Sequence, residues 1–120
     1  MPNDSGSEWV QAFSGADLWE GEARTVELRG EQVLLVRLFG GGVRAYQGIC
    51  PHQETLLALG EFDWDAGIVT CAAHHWQFRL EDGTGVNPDN CRLFRYEVRL
   101  DGDTINLDFP DGRPPRERPR

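Results

Sequence analysis

Cys50-Pro51-His52 and Cys71-Ala72-Ala73-His74 are the two stretches around which the chain is organised, and we call them the first and the second arm. Each arm carries one thiol and one imidazole, and 18 residues separate His52 from Cys71. Two sulfur and two nitrogen ligands that converge on one point fit a tetrahedral zinc ion. They also fit a [2Fe–2S] cluster in which two histidines replace two cysteines on one iron.

The order of the ligands distinguishes these two centres. Zinc fingers usually pair Cys with Cys on one knuckle and His with His on the other, because a single ion needs four ligands in one shell. Here both arms are mixed, and a dinuclear cluster explains this if each arm gives its Cys to one iron and its His to the other. The neighbouring His75 is a second candidate imidazole, but the Cys-x-x-His spacing indicates His74. The pattern favours one [2Fe–2S] cluster on Cys50, His52, Cys71 and His74 over a zinc-stabilised binding module.

The composition is that of one small acidic domain. The chain has 120 residues and a net charge of −8, from 20 acidic residues and 12 basic residues that are all arginine. This charge disfavours nucleic acid as a partner and suits a positively charged protein. The chain has no apolar run of about 18 residues and no signal sequence at its start, so we expect a cytoplasmic protein with no membrane contact.

The apolar pattern predicts an all-β fold. Residues 93–100 alternate most cleanly between apolar and charged side chains, and Asp101-Gly102 turns the chain back into a strand at 104–109. Further strands are predicted at 5–13, 23–28, 32–39, 43–47, 68–70 and 76–80, with a short turn at 17–19. Such strands predict antiparallel sheets packed face to face, in a small sandwich or barrel.

The remaining segments are predicted to be loops. Between the arms, residues 54–65 read as an acidic loop in which Leu56, Leu57 and Leu59 shield the metal. The acidic side chains of that loop are expected to face solvent, and they are Glu61, Asp63 and Asp65. Residues 111–120 are rich in Pro and Arg and are predicted to be disordered, which leaves one domain at 1–110. Cys91 is expected to be a buried thiol, because a disulfide would take a metal ligand.

The sequences that flank the arms resemble a known family. The matching stretches are Ala45-Tyr46-Gln47, Cys50-Pro51-His52-Gln53-Glu54, Val69-Thr70-Cys71 with His74, Trp76 and Phe78, Asp82-Gly83-Thr84-Gly85, and Asn87-Pro88-Asp89. Over about residues 40–109 they resemble the Rieske ferredoxin component of toluene and alkene monooxygenases. Two features differ from that family: the loop between the arms is a residue or two longer, and His75 stands where an apolar residue is expected.

The resemblance implies a fold and a function. The Rieske fold has three antiparallel sheets and holds its cluster on two loops at one tip, here within about residues 46–92. In that family the protein is no enzyme: it carries single electrons from an NAD(P)H-dependent flavin/iron–sulfur reductase to a separate di-iron hydroxylase. We expect a monomer, because a shuttle must expose the same tip to two partners in turn. The ferredoxin of a ring-hydroxylating dioxygenase is the alternative within the class. An oxygenase centre of two histidines and a carboxylate is excluded, because His75 is the one histidine that the cluster leaves.

The resemblance also assigns places to single residues. Cys50 and Cys71 would bind the inner iron from a buried position, with His52 and His74 on the outer iron at the surface. Trp76 would lie in the docking face or electron path, although ordinary core packing accounts for it as well. Gln53 would meet a partner or remain solvated, and Pro88 would cover the cluster or form a plain turn.

The residues after the second arm predict the redox potential. High-potential relatives have Ser and Tyr at the positions of Trp76 and Phe78, and neither of these two side chains supplies the hydroxyl donor. We therefore expect a potential in the lower part of the Rieske range, about −150 to 0 mV.

Overall fold

The computed structural model describes residues 8–28, 30–50, 55–72, 75–87, 89 and 91–109. These residues form ten strands, all paired antiparallel. In chain order they are β1 (Glu8–Ser14), β2 (Glu22–Leu28), β3 (Glu31–Arg37), β4 (Val43–Gln47), β5 (Glu61–Asp63), β6 (Ile68–Thr70), β7 (Gln77–Arg79), β8 (Gly85–Asn87), β9 (Arg95–Asp101) and β10 (Thr104–Phe109). The predictions for His52, Gln53, His74, Pro88 and residues 111–120 lie outside the described residues.

Six strands form one sheet in the order β1-β10-β9-β4-β3-β2. Its two three-stranded halves are joined where β4 meets β9, through the pairs Ala45↔Tyr96 and Tyr46↔Arg95. The other four strands form a second sheet in the order β5-β6-β7-β8. The three sheets that the family resemblance implies are thus two hydrogen-bonded sheets here, because this short β4–β9 pairing connects two of them. The all-β prediction is confirmed.

The continuous apolar run of β3 reflects burial on both of its faces. Successive side chains of a strand point to opposite sides, so Leu34 and Val36 enter one core while Val33 and Leu35 enter another. We call the first the site core; its buried members are Leu34, Val36, Tyr46, Cys50, Leu57, Val69, Cys71, Phe78, Leu80, Cys91 and Leu93. We call the second the base core; its buried members are Leu18, Val33, Leu35, Val43, Ala45, Tyr96, Ile105 and Leu107.

Several predicted elements require correction. Segment 54–65 is not simply a loop, because it contains a 3-10 turn at Leu57–Leu59 and the strand β5. Leu57 is buried as expected, but Leu59 is 69% exposed and shields nothing. Strand β8 was not predicted, and the turn expected at 17–19 is a 3-10 turn at Gly15–Asp17.

The alternating segment before β10 is also less buried than predicted. Tyr96 is buried, but Leu100 is 47% exposed, because β9 runs past the end of the base core. Within the described ranges, neither of the two short helical turns has the length or the apolar character that a membrane crossing requires.

Candidate metal centre

The two predicted sulfur ligands lie in the same apolar core. Cys50 is 2% exposed and Cys71 is fully buried, and both belong to the site core. Cys91, at 8% exposure, belongs to that core too, and none of the three thiols forms a disulfide. Two buried thiols at the starts of two neighbouring loops fit a centre of iron or zinc, both of which bind thiolate sulfur.

Both arms lie in loops that close in the same way. The backbone N–H of Cys50 donates to the carbonyl of Thr55 over 2.9 Å, and that of Cys71 donates to the carbonyl of Trp76 over 2.7 Å. In each of these hydrogen bonds the donor is the cysteine itself, and the acceptor lies five positions further along the chain. An antiparallel pair stands directly behind each closure, Ile49↔Leu56 in the first case and Thr70↔Gln77 in the second. Each thiol is thus fixed where its loop leaves the sheet.

The second loop contains a backbone conformation that few residues adopt. His75 has a φ of 63°, in the left-handed region that costs a residue other than glycine roughly 1 kcal/mol or more. Its N–H donates to the carbonyl of Cys71 over 3.0 Å, which tightens the turn, and its side chain is exposed. His75 is therefore the residue at which the chain reverses toward Trp76, a role that no sequence pattern indicated.

Gln47 connects the first loop to the rest of the fold. It is 1% exposed, and its Nε2 donates to the carbonyl of Ile49 over 2.8 Å, one residue before Cys50. Its Oε1 accepts from the backbone N–H of Phe94 over 2.7 Å, and its own N–H donates to the Phe94 carbonyl over 2.9 Å. A buried amide with both ends bonded fixes the approach to Cys50 against the start of β9.

Two further contacts join the four-stranded sheet to the rest of the site. A Cβ atom on Gly60 would overlap the carbonyl oxygen of Thr70, so only glycine allows the chain from the first loop to pass the strand that leads to Cys71. The buried hydroxyl of Tyr46 donates to the carbonyl of Leu80 over 2.6 Å, and burial raises the pKa of this hydroxyl. Gly60 is a structural support that the sequence did not single out, and Gln47 stands in one of the stretches that match the family but was given no role there.

Only some of the other predicted site residues lie in the described part of the chain. Trp76 is half-buried and packs against the site core, while Phe78 is fully buried within it. Among the described residues, no three His, Cys, Asp or Glu side chains gather in a way that could hold a metal ion. His52, Gln53, His74 and Pro88 lie outside that part of the chain, so their placement remains a prediction.

Comparison with known proteins identifies the family. Residues 8–97 match the Rieske [2Fe–2S] domain. Over 82% of its length the chain is 39% identical to the ferredoxin component of the alkene monooxygenase system of Xanthobacter autotrophicus, and the match covers 79% of that protein.

Two solved structures share the fold. The ferredoxin of carbazole 1,9a-dioxygenase from Nocardioides aromaticivorans IC177 superposes with a TM-score of 0.75 at 27% identity, covering 86% of this chain and 98% of that one. A chain of the reduced complex between oxygenase and ferredoxin in carbazole 1,9a-dioxygenase gives a TM-score of 0.74 at 26% identity, covering 89% of this chain and 30% of that one. The chain belongs to the Rieske [2Fe–2S] domain family, whose cofactor, a [2Fe–2S] cluster, carries electrons and does not itself transform a substrate.

Proposed function

We propose that this chain is the Rieske ferredoxin of an aromatic or alkene monooxygenase system. In that role it takes single electrons from an NAD(P)H-dependent flavin/iron–sulfur reductase and passes them to a di-iron hydroxylase, as a cytoplasmic monomer. The observation that supports this most strongly is the 39% identity to the alkene monooxygenase ferredoxin component, because it extends over 79% of that protein. A match of that extent is a match to a separate ferredoxin component and not to a domain of a larger oxygenase.

We further propose that Cys50 and Cys71 bind the inner iron and that His52 and His74 bind the outer iron. The shared burial of the two thiols and the identical closure of the two loops support this assignment. The cluster supplies a centre that accepts and releases one electron at a time. The domain would extend over residues 1–110, with the cluster-binding part at about 46–92, and membership of the Rieske family leaves the zinc-module alternative without support.

The surroundings of the thiols favour a low potential. The side chains around Cys50 and Cys71 are largely apolar, and the buried hydroxyl of Tyr46 is already bonded to the carbonyl of Leu80. Reduction adds a negative charge, which apolar surroundings and a protein of net charge −8 both disfavour. A midpoint potential of about −150 to 0 mV is expected in a redox titration, and a value well above about +100 mV would contradict it.

Visible absorption and electron transfer test the proposal together. The purified protein should be red-brown, and after reduction it should give a rhombic EPR signal with an average g below 2. The reduced protein should then support turnover by the oxygenase component of the X. autotrophicus alkene monooxygenase system. A colourless protein without inorganic sulfide would contradict the cofactor, and a coloured protein that supports no oxygenase would contradict the role.

A second candidate is the ferredoxin of a ring-hydroxylating dioxygenase. It is favoured by the structural match to the carbazole 1,9a-dioxygenase ferredoxin, which covers 98% of that chain. Turnover with a carbazole dioxygenase oxygenase but not with the alkene monooxygenase would select this candidate.

Trp76 and Gln53 are proposed to lie in the face that meets the partners, beside a cluster covered by Pro88. Trp76 is only half-buried, so part of its indole is available to a partner. Trp76→Ala should slow electron transfer and leave the visible spectrum unchanged. If both the spectrum and the transfer rate are unchanged, Trp76 serves only in packing.

A further inference from the structure

A groove with aromatic and acidic walls runs along the outer strand of the four-stranded sheet. Its volume is about 720 Å³, and we call it the β5 groove; its main walls are Phe39, Glu61, Phe62, Asp63, Trp64 and Asp65. Strand β5 lies at the edge of its sheet, so one side of the groove has no neighbouring strand. The groove is open to an incoming chain from that side.

Aromatic rings form the apolar part of the groove. Phe62 stacks on Trp64 with ring centroids 5.3 Å apart and planes inclined by 13°. Phe39 also lies near Trp64, at 6.5 Å between centroids with the planes inclined by 49°, and 58% of Phe39 is exposed. Ring faces are electron-rich and attract cations, arginine in particular, because its flat guanidinium group can stack on them.

Carboxylates line the rim of the same groove. Glu61 and Asp63 are both exposed and stand two residues apart on β5, so their side chains emerge about 7 Å apart on the outer face of the sheet, opposite the face from which Phe62 packs against the site core. Asp65 adds a third exposed carboxylate in the following turn. The exposed Phe39 ring and these carboxylates line the same groove, and together they are complementary to a group that is flat, apolar at its faces and positively charged.

The charge of this rim is not neutralised from within the described part of the chain. In that part, no arginine lies within ion-pairing distance of Glu61, Asp63 or Asp65. Arg79 is the arginine on the neighbouring strands, and its guanidinium donates to Thr84 Oγ1 and to the Gly85 carbonyl, toward the opposite edge of the sheet. Among the described residues nothing offsets this negative charge, which a cationic partner would therefore meet.

The groove begins at the second loop of the site. Thr70 and Gln77 are among the residues that line it, and they stand directly before Cys71 and directly after Trp76. Glu61 pairs with Thr70, so the first carboxylate of the rim stands beside the strand end that carries the thiol. A partner that docks at the second arm can therefore contact the groove at the same time.

We propose that the β5 groove receives an arginine-bearing segment of the oxygenase component that accepts the electron. This rests on the proposed function, and it adds a second contact beside the cluster tip that selects the partner by charge. Opposite charges across an interface mainly raise the rate of association and suppress wrong partners. The groove therefore sets the rate at which the reduced ferredoxin finds its acceptor, and it leaves the potential unchanged.

Stopped-flow electron transfer tests the proposal. Reduced holoprotein is mixed with the oxygenase component of the X. autotrophicus system, for the wild type, Glu61→Gln/Asp63→Asn and Phe39→Ala. Asn at position 63 keeps the oxygen that accepts from the Ala66 N–H, so the turn is preserved. We expect the double variant to lower the second-order rate about tenfold at low salt, with a smaller loss for Phe39→Ala and an unchanged midpoint potential.

A matched control removes the same charge elsewhere. Glu27 and Glu97 are exposed on β2 and β9 of the other sheet, so Glu27→Gln/Glu97→Gln changes the net charge equally. This variant should keep the rate within about twofold of the wild type. Equal rates for the groove variant and the control would overturn the proposal, as would a groove variant slowed only in accepting electrons from the reductase. If the carboxylates only prevent strand addition at the sheet edge, solubility changes and the rate does not.

A peptide titration separates failure of the groove from failure of the proposed function. The ¹⁵N-labelled oxidised holoprotein is titrated with acetyl-Leu-Arg-Leu-Arg-amide. The reference is the same peptide with both arginines replaced by glutamine. Saturable shifts at Phe62 and at the Trp64 indole, lost in the groove variant and retained in the control variant, support the groove even if the wild type transfers no electrons to this oxygenase. Shifts that are absent, or that are equal in both variants, overturn it.

Discussion

The two sheets of this protein are stabilised in different ways. Strands of the six-stranded sheet are five to seven residues long, whereas each strand of the four-stranded sheet has three. The base core contains apolar side chains and Tyr96, but the site core also contains three cysteine thiols. Sheets of very short strands need additional support, and here two of the thiols are the proposed metal ligands.

The difference indicates which part of the fold depends on the cofactor. When metal binding and folding are coupled, the free energy of binding stabilises the elements that hold the ligands. Here those elements are β4 and β6, which lead to the two loops, and the short strands around them. We therefore expect the six-stranded sheet to stay ordered without iron and the four-stranded sheet to loosen.

The largest expected effect comes from removing one ligand. Cys71→Ser should abolish the cluster, because a serine hydroxyl is a poor replacement for a soft thiolate. Iron and sulfide analysis should then find no cluster, and hydrogen exchange should show lost protection in β5 to β8 but retained protection in β3, β9 and β10. Uniform loss of protection would show that the two sheets unfold as one unit.

Cys91→Ser is the matched control, since Cys91 is a buried thiol of the same core. We expect this variant to keep its full iron content and visible spectrum, at a cost of about 1–2 kcal/mol in the free energy of unfolding. Loss of the cluster in Cys91→Ser would show that the assignment of the sulfur ligands is wrong.

The second-largest effect is expected at the close contact between Gly60 and the Thr70 carbonyl. Gly60→Ala should lower the free energy of unfolding by about 3 kcal/mol, because the new methyl group would overlap the Thr70 carbonyl. Denaturant unfolding of the holoprotein measures this loss. Gly67→Ala lies in the β5–β6 turn with no atom within 4 Å of the new methyl group, so only its left-handed φ of 73° costs stability, about 1 kcal/mol. Equal losses in the two variants would contradict the steric argument.

A smaller effect is expected from Gln47, which connects the two regions. Gln47→Leu should destabilise the protein by about 2 kcal/mol, because it leaves the half-buried Ile49 carbonyl and the Phe94 N–H without these partners. It should also change the EPR g values, since the Ile49 carbonyl, directly before Cys50, loses the hydrogen bond that fixes it. Gln47→Glu keeps an acceptor for Phe94 but buries a carboxylate against the Ile49 carbonyl, so at neutral pH it should cost at least as much stability as Gln47→Leu. Unchanged g values in Gln47→Leu would show that Gln47 stabilises the fold without positioning the first loop.

The smallest expected effect is a pH dependence of stability that arises from Asp82, in the turn between β7 and β8. A hydrogen bond from the Thr84 hydroxyl, and a second from its backbone N–H, hold the pKa of the exposed Asp82 below its ordinary value. The charged form is favoured in the folded state, so its stabilisation is complete above about pH 4 and is lost as the pH falls through the lowered pKa. Thr84→Val should raise the pKa of Asp82, as measured by NMR titration of its carboxyl group. An unchanged pKa would mean that the backbone N–H alone is responsible.

The sequence predicted the regular strands well because their patterns are local. The runs around Val33 and Ile105 carry enough apolar residues to mark a strand without knowledge of its neighbours, and both are confirmed. Strands β5 and β8 were missed because Glu61-Phe62-Asp63 and Gly85-Val86-Asn87 have three residues each and low strand propensity. They are strands because β6 and β7 pair with them across short turns, and neither three-residue stretch shows a strand pattern by itself.

The sequence predicts the chemistry of the site, but it says little about the residues that support the two loops. Cys50 and Cys71 stand out because a thiol and an imidazole at such short spacing are typical of metal sites, and the burial of both thiols agrees with the prediction. The roles of Gln47 and Gly60 depend on contacts with Phe94 and Thr70, and no local pattern reveals these contacts. The left-handed backbone of His75 likewise follows from the closure of a whole loop.

The burial of β3 on both faces has a consequence for any attempt to move this site into another protein. Its odd-numbered and even-numbered side chains fill two different cores, so this one strand of the six-stranded sheet forms part of the wall of both. A graft of residues 48–93 alone would leave the thiols facing water where Leu34, Val36 and Tyr46 now stand. The smallest transferable unit must therefore include the β3–β4 hairpin, and a host would have to supply a second apolar layer behind it.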